Sequence, residues 1–463
     1  MIERLPSGNE RLDQILNGGL LKNAINLIVG VPGSGKTILS QQFAFHNATA
    51  KQPALYLSTL SEPLDKILRF GETLKAFDHK AIQEGRVIYE DIGHLLGDSG
   101  LDSILTAVEA YLKELSPGVI VIDSFRAFAA VSHDTTEFRR FLYSLTRLLS
   151  ASATTAVWNA PYTREQALEA AEFAVADSIL ALDIRQVGAR EIRVLQVLKL
   201  RGSSYLSGEH AYRITNAGLD VFPRLADHKD LTGYTLASER SSTGIEALDK
   251  VLGEGGYWSG SATMVAGPSG IGKTLMGLHF LFRGAESGEP GILATFQENE
   301  TQLNRIAKSF GWSFEGSDVH LLSRSVVDIL IDEWVYQLLD LIEKAGARRI
   351  VIDSLPDVMS AAADPNRFRE WMFSLTQRLE RLGVSMMMIV EVPELFQLRR
   401  ISEQGLSHLA DNVVLLQYVQ EGPELVRALT VLKTRAMHHH PVVHRYEITE
   451  KGFVLGDVLT LTR

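Results

Sequence analysis

Short apolar runs alternate with longer amphipathic stretches along the first part of the chain. The apolar runs are INLIVG (25–30), ALYLST (54–59) and VIVIDS (119–124). Runs this short and continuous are typical of strands that are buried on both faces. The stretches with apolar residues at helical spacing are Thr37–Phe45, Pro63–Leu74 and Thr136–Leu149. This alternation predicts an α/β fold, a mostly parallel twisted sheet with helices on both faces.

The same order of landmarks occurs twice. The matching pairs are Gly8–Gly19 with Gly244–Gly256, GVPGSGKT (30–37) with GPSGIGKT (267–274), VIVIDS (119–124) with RIVIDS (349–354), and VLKLRG (197–202) with VLKTRA (431–436). The separations between partners differ by only a few residues, which indicates a tandem duplication. We predict one domain over 1–232 and a second over 233–463. The polar segment Asp227–Ser242 is the predicted linker.

Composition narrows the classes of protein. The chain has 463 residues, 45% of them hydrophobic, no cysteine and a net charge of −10. The hydrophobic content is ordinary for a globular protein. The absence of cysteine excludes disulfides, thiol catalysis and cysteine-ligated zinc. The acidic balance argues against a nucleic-acid coat or an anionic membrane surface as partner. With no apolar leader and no run of about 18 apolar residues, we expect a soluble cytoplasmic protein.

Each GxxxxGK[ST] motif follows a predicted strand and opens a predicted helix. In that setting backbone amides cradle phosphates, the lysine reaches the terminal phosphates, and the threonine hydroxyl binds magnesium. The predicted binding residues are Gly33, Ser34, Gly35, Lys36, Thr37 and Ile38, and in the second copy Ser269, Gly270, Ile271, Gly272, Lys273, Thr274 and Leu275. Asp123 and Asp353 end the following apolar strands and would hold Mg²⁺ through its waters. A glycine turn without a ligand is disfavoured by the repetition.

Hydrolysis needs a group that orients or deprotonates the attacking water. The second copy offers Gln297 and Glu298 after its strand, whereas the aligned pair in the first copy is Leu60 and Ser61, followed by Glu62. Lys36 and Lys273 complete the catalytic candidates. Farther along, Glu391 ends a strand of the second copy where Asn159 is expected to end that of the first. The second copy is therefore predicted to be the more active one, unless Glu298 is only a solvated or capping carboxylate.

Two basic pairs lie at the far end of the copies. Lys199 and Arg201, and likewise Lys433 and Arg435, are two residues apart on a predicted strand and so point the same way. They are candidates for neutralising terminal-phosphate charge, including on a neighbouring molecule. The competing interpretation is exposed charge at a strand edge, which the recurrence disfavours.

The chain resembles the RecA-type ATPases of the KaiC family over nearly its whole length. The resemblance rests on the doubled phosphate loop, both IDS strands, KLRG, and the run DNVVLLQYVQ (411–420). It implies two tandem RecA-like P-loop domains in a hexameric ring, with ATP and Mg²⁺ between neighbouring subunits. Phe310 would then stack on adenine. The residues that would reach the neighbour's nucleotide are Lys199, Leu200, Arg201, Lys433 and Arg435.

The chain departs from the family at the catalytic glutamate pair, which is Leu60-Ser61 in one copy and Gln297-Glu298 in the other. Slow hydrolysis follows. The family's phosphorylated Ser-Thr pair corresponds to Ser407 and His408, so Ser407 is a candidate for autophosphorylation with Glu298 as base. Its competing role is a local hydrogen bond to the backbone. The last predicted strand spans Gly452–Leu461, and we expect the family's regulatory tail to be missing.

Three functions remain open. The first is a nucleotide-dependent signalling switch, with a KaiB-like or other signalling protein as partner. The alternative is a RecA-like DNA-dependent ATPase of recombination or repair, which the acidic balance and the lack of a DNA-binding module disfavour. The third is a scaffold in which ATP in the first copy only holds the ring together.

Overall fold

The computed structural model divides into two compact units, 1–227 and 228–463. It describes residues 3–59, 64–75, 77–98, 100–187, 190–225, 239–253, 255–296, 298–325, 329–362, 364–392, 409–435 and 441–459. The predicted domain boundary at 232/233 lies outside the described residues. Among the helices that are described, none has both the length and the apolar composition that crossing a membrane requires.

The first unit alternates strands and helices up to a final antiparallel segment. Its elements are β1 (Arg4–Leu5), α1 (Glu10–Ile15), β2 (Leu20–Leu21), β3 (Ile25–Gly30), α2 (Lys36–Asn47), β4 (Ala54–Ser58), α3 (Leu64–Gly71), α4 (His79–Gln83), β5 (Val87–Asp91), α5 (Leu95–Asp98), α6 (Gly100–Leu115), β6 (Val119–Asp123), α7 (Arg126–Val131), α8 (Thr135–Ala151), β7 (Thr155–Ala160), α9 (Arg164–Glu169), α10 (Ala171–Val175), β8 (Ser178–Val187), β9 (Arg190–Leu200), β10 (His210–Thr215) and β11 (Gly218–Phe222).

The main sheet of this unit has nine strands in the order β11-β10-β9-β8-β3-β7-β6-β4-β5. The strands from β8 to β5 in that order are parallel, and β9, β10 and β11 add to the β8 edge in antiparallel fashion. Every residue of β3 is buried, as its apolar run predicts. Because the parallel strands end at one edge, the loop after β3 and Asp123 at the end of β6 lie on the same side.

Helices cover both faces of the first sheet. Leu27 and Val29 of β3 pack in one core with α6 and α8, whereas Ile28 packs in a second core with α1 and α2. Successive side chains of a strand point to opposite faces, so the two cores lie on opposite sides of the sheet.

The second unit repeats this architecture. Its elements are β12 (Arg240–Ser241), α11 (Glu246–Val251), β13 (Tyr257–Trp258), β14 (Ala262–Gly267), α12 (Lys273–Glu286), β15 (Gly291–Thr295), α13 (Glu300–Ser309), β16 (Val319–Ser323), α14 (Ile331–Ala345), β17 (Arg349–Asp353), α15 (Leu355–Ala362), α16 (Pro365–Arg381), β18 (Ser385–Glu391), β19 (Asn412–Glu421), β20 (Glu424–Thr434), β21 (Val443–Thr449) and β22 (Gly452–Val458).

The second sheet has the order β16-β15-β17-β18-β14-β19-β20-β21-β22, which is the first order read from its other end. Strands β16 to β19 in that order are parallel, and the last three are antiparallel. Val265, Val351 and Met387 from three of the parallel strands pack in one core with α12. The predicted α/β fold with a mostly parallel sheet in each half is confirmed.

Most predicted elements coincide with observed ones, apart from three. The last predicted strand, 452–461, is shorter, since β22 spans Gly452–Val458. The predicted helix 63–74 is shorter in the structure, where α3 ends at Gly71 and the chain continues in tight turns, with Leu74 N donating to the Gly71 carbonyl at 2.8 Å. The predicted linker extends too far: Arg240 and Ser241 pair with Trp258 and Tyr257 as an antiparallel ribbon of the second unit. The rest of that linker, up to residue 238, lies outside the described residues.

Candidate nucleotide-binding sites

The first glycine-rich loop joins β3 to α2 and exposes its backbone. Gly33 has φ +80°, and a Cβ built on it would meet nothing within 4 Å, so an open cradle lies above the loop. Lys36 begins α2 and its Nζ donates to the carbonyls of Gly30 (2.8 Å) and Val31 (2.9 Å). Burial lowers the pKa of Lys36, an effect that the nearby Asp123 charge opposes. A buried ammonium group next to an open cradle fits a polyphosphate chain.

The second loop, between β14 and α12, has the same form. Gly270 has φ +73° and equally open space at its Cβ position, and Lys273 Nζ donates to the carbonyl of Pro268 at 2.7 Å. Burial lowers the pKa of Lys273, and the charges of Glu391 and Asp353 oppose that shift. Both loops therefore present the donor groups that the motif predicts.

Each loop threonine is paired with the aspartate that ends a neighbouring strand. Thr37 Oγ1 donates to Asp123 Oδ2 at 2.7 Å, and Thr274 Oγ1 donates to Asp353 Oδ2 at 2.6 Å. Burial raises the pKa of Asp353, while the Thr274 hydrogen bond lowers it. A hydroxyl and a carboxylate beside the open cradle are the oxygen ligands that Mg²⁺ prefers, so these residues fit a magnesium–nucleotide complex.

A cavity of about 490 Å³ opens at the first loop. One wall is formed by Lys36, Thr37 and neighbouring loop residues, and another by Ile67 and Phe70 of α3. Phe70 is 52% exposed, which is unusual for a phenylalanine, and the charged groups of Lys66 and Arg69 lie 5.8 and 5.3 Å from the centre of its ring. Phe310 is the residue predicted from sequence for base stacking, and Phe70 is a further candidate that was not predicted. The tripeptides Arg69-Phe70-Gly71 and Ser309-Phe310-Gly311 carried the signal.

Phe310 is the C-terminal cap of α13 and is partly buried, with its ring 5.9 Å from that of Trp312. Its role in base stacking stays a prediction.

A tyrosine anchors each loop from the antiparallel part of the sheet. Tyr212 on β10 donates its hydroxyl to the carbonyl of Ser34, and Tyr446 on β21 donates to that of Ile271 at 2.6 Å. Both tyrosines are buried. The repeated strings YRIT (212–215) and YEIT (446–449) mark this pair in the sequence, although neither tyrosine was among the predicted site residues. Each loop is thus held at one of its carbonyl groups by a hydroxyl from the antiparallel part of the sheet.

Glu298 lies between β15 and α13. Its Oε2 is buried and has no hydrogen-bond partner among the described residues. Burial raises the pKa of Glu298, and the negative charge of Asp353 raises it further. An acceptor oxygen without a partner, held near the Thr274–Asp353 pair, suits a group that takes a proton from water. Gln297, Glu62 and the Leu60–Ser61 pair lie outside the described residues.

The predicted equivalence of Asn159 and Glu391 is wrong. Asn159 lies opposite Ile28 of β3, whereas Glu391 lies opposite Gly267, the residue at which β14 ends. By register the counterpart of Asn159 is Ile389, two residues earlier on β18 than Glu391. Asn159 is fully buried, and its Nδ2 donates to Ser40 Oγ at 2.8 Å. A shift of two residues keeps the same face of the strand, so the apolar pattern alone does not detect it.

The two basic pairs point away from the loops of their own units. Lys199 Nζ donates to the carbonyl of Phe173 at 3.0 Å, and Arg201 donates to Asp177 at 3.1 Å. Both acceptors precede β8, at the amino ends of the parallel strands. Lys433 and Arg435 bond Ala410 and Asp411 in the same way. These side chains therefore do not reach the loop of their own unit, and their contact with a neighbouring subunit's phosphate, like that of Leu200, stays a prediction.

One further prediction, phosphorylation at Ser407, falls outside the described residues, as does His408.

Comparison with known proteins gives one family. The model of the KaiC ATPase family matches residues 5–226 and 241–458, one match for each unit. The circadian clock oscillator protein KaiC of Picosynechococcus sp. is 28% identical over 473 residues, which cover 98% of this chain and 90% of the relative. The KaiC proteins of Thermostichus vulcanus (28% identical) and Synechocystis sp. (KaiC 1, 26%) match over 98% of this chain and 89% of their own. The tandem RecA-like assignment is confirmed.

Proposed function

Because the chain belongs to the family of KaiC ATPases, we propose that it binds ATP with Mg²⁺ in both units and hydrolyses it slowly, mainly in the second. The observation that carries this ranking is the buried Oε2 of Glu298, which has no hydrogen-bond partner among the described residues and lies within reach of the Asp353 charge. The aligned position of the first unit holds Ser61, which has no carboxylate. The first unit then serves to hold nucleotide.

Each residue has a distinct task in this proposal. The loop amides and Lys273 would bind the phosphates, and Phe310 would stack on the base. Glu298 takes a proton from the attacking water while the water oxygen bonds to the γ-phosphorus, and ADP leaves as the bond to the bridging oxygen breaks. Thr274 and Asp353 would hold Mg²⁺, which supplies charge neutralisation on the phosphates when bound.

We place the nucleotides at contacts between subunits of a hexameric ring. The support is the direction of Lys199, Arg201, Lys433 and Arg435, whose side chains lie at the opposite strand ends from their own loops. A cation supplied by a neighbour stabilises charge on the transferring phosphoryl group. ATP turnover would then depend on assembly of the ring.

A second reaction of the same site is phosphorylation of Ser407. The Ser407 hydroxyl oxygen would bond to the γ-phosphorus of ATP across the subunit contact, its proton passing to Glu298 and ADP departing. The test is transfer of labelled γ-phosphate: label should be lost in Ser407→Ala and kept in Ser402→Ala, a serine of the same segment. Equal labelling of both variants would remove Ser407 from the proposal.

The output that fits these sites is a nucleotide-dependent change in a surface offered to a signalling partner, KaiB-like or other. A DNA-dependent motor is not favoured, since the chain carries a net charge of −10. Turnover that rises severalfold with single-stranded DNA would reverse this preference.

The experiment for the proposed function compares the two loop lysines. Lys273→Ala should abolish most ATP turnover, whereas Lys36→Ala should keep most of it while lowering the amount of bound nucleotide. Turnover lost chiefly in Lys36→Ala would contradict the ranking of the two units.

A further inference from the structure

Asp123 of the first unit is held by a buried tyrosine in addition to its threonine. The Tyr56 hydroxyl donates to Asp123 Oδ2 at 2.7 Å, the oxygen that also accepts from Thr37. Tyr56 is fully buried on β4, two residues before Ser58, the residue paired with Asp123. One carboxylate oxygen thus accepts hydrogen bonds from two hydroxyl groups, and these two bonds fix the orientation of the carboxylate.

The tyrosine is itself connected to a polar chain. The Ser40 hydroxyl lies against that of Tyr56, donates to the Thr37 carbonyl at 3.0 Å and accepts from Asn159 Nδ2 at 2.8 Å. Ser40 and Asn159 are both fully buried. Buried polar groups are costly unless they bond one another, so a connected chain of three under one carboxylate is a specific arrangement.

In the second unit, two of the three corresponding positions hold apolar side chains and the third holds glycine. By register and by distance from the loop lysine, the counterparts of Tyr56, Ser40 and Asn159 are Leu293, Gly277 and Ile389. A Cβ on Gly277 would meet Val351 at 2.9 Å and Ile389 at 3.4 Å, so apolar side chains fill the space that Ser40 occupies in the first unit. Asp353 therefore lacks this support, although both aspartates keep their threonine.

We infer that Tyr56, braced by Ser40 and Asn159, is a positioning residue that holds Asp123 in the orientation required to bind the magnesium–nucleotide complex of the first unit. This rests on the proposed role of that unit as a nucleotide-holding site. A group that orients a metal-binding carboxylate is worth about 10- to 100-fold in metal affinity. The device belongs to the first unit alone, because Leu293 has no hydroxyl.

The test measures cation affinity rather than turnover. In a Lys273→Ala background, binding of a fluorescent N-methylanthraniloyl-ATP is followed as Mg²⁺ is raised, and again in EDTA. Tyr56→Phe should raise the Mg²⁺ concentration for half-maximal binding about tenfold and leave binding in EDTA unchanged. Ser40→Ala should give a smaller increase of about threefold, because it removes only neutral hydrogen bonds behind Tyr56 and leaves the Tyr56 hydroxyl on Asp123.

Tyr89→Phe is the matched control. The Tyr89 ring lies 5.0 Å from that of Tyr56 and its hydroxyl accepts from Gln41 at 3.4 Å, so this variant loses a hydroxyl from the same aromatic pair without touching Asp123. Its Mg²⁺ requirement should match the parent. The inference, but not the proposed function, is overturned if Tyr56→Phe has the same Mg²⁺ requirement as Tyr89→Phe. It is also overturned if Tyr56→Phe loses nucleotide binding to the same extent in EDTA as in Mg²⁺. A parent that binds no nucleotide overturns the proposed function with it.

Discussion

Gln42 and His279 occupy the same position on the P-loop helices of the two units, and each accepts a backbone N–H from the last hairpin of its sheet. Gln42 Oε1 accepts from Leu219 at 3.2 Å, and His279 Nε2 accepts from Phe453 at 2.8 Å. The hairpin approaches so closely that a Cβ on Gly452 would lie 2.2 Å from His279 Nε2. One unit thus uses an amide that does not titrate, and the other uses an imidazole.

The second unit should therefore lose stability in mild acid. Burial lowers the pKa of His279 from 6.5 to about 4, and the Arg283 charge adds to the shift. Between those pH values the unfolded histidine binds a proton that the folded one excludes. The contribution of neutral His279 to the free energy of unfolding is therefore complete above pH 6.5. It is lost as the pH falls towards 4, and the loss is about 3 kcal/mol at most.

His279→Gln, which copies Gln42 into the second unit, is the variant that isolates this effect. Urea unfolding of the full chain at pH 7.5 and pH 5 should show a smaller acid-induced loss for the variant than for the parent. The same loss in both proteins would show that His279 does not set the pH dependence.

Glu298→Gln tests the base assigned to the second unit. Turnover, measured in a Lys36→Ala background, should fall about 100-fold because the amide cannot take a proton from water. In the unsubstituted site turnover should fall as pH is lowered through the pKa of Glu298, which burial and Asp353 raise above its ordinary value. Glu300→Gln, at the exposed first residue of α13, is the control and should keep both rate and pH profile. A rate in Glu298→Gln equal to that of this control would exclude the role.

Phe70 should contribute to base binding in the first unit. Phe70→Ala removes the exposed ring that lines the cavity, and the affinity for ATP should fall about tenfold, the size of a lost base stack. Phe373→Ala removes a ring that is equally exposed (51%) but lies on α16 of the second unit. Equilibrium binding in a Lys273→Ala background compares them, and equal affinities would refute a stacking role for Phe70.

The duplicated fold and the loop chemistry were predictable from sequence because both are local. A phosphate loop lies within eight consecutive residues, and a strand such as Ile25–Gly30 shows its burial in its own composition. The threonine–aspartate pairs followed as well, since a carboxylate that ends a parallel strand must lie at the loop edge of the sheet.

The support around each site was not predictable because it depends on register between distant strands. Tyr56 reads as one more aromatic in an apolar run, and only its pairing across β6 brings its hydroxyl to Asp123. Asn159 and Glu391 were equated because both stand near a strand end, and the two-residue difference in pairing separates them. The direction of Lys199 likewise follows from a bulge between β8 and β9 that composition does not reveal.

The most direct test of the central claim is native mass spectrometry of the full chain with ATP and Mg²⁺, counting bound nucleotides. We expect a hexamer with two nucleotides for each chain, and one fewer per chain in either Lys36→Ala or Lys273→Ala. A monomer that binds no adenine nucleotide under these conditions would contradict the two-site ring. So would a chain that binds one nucleotide and keeps it in each of the two variants.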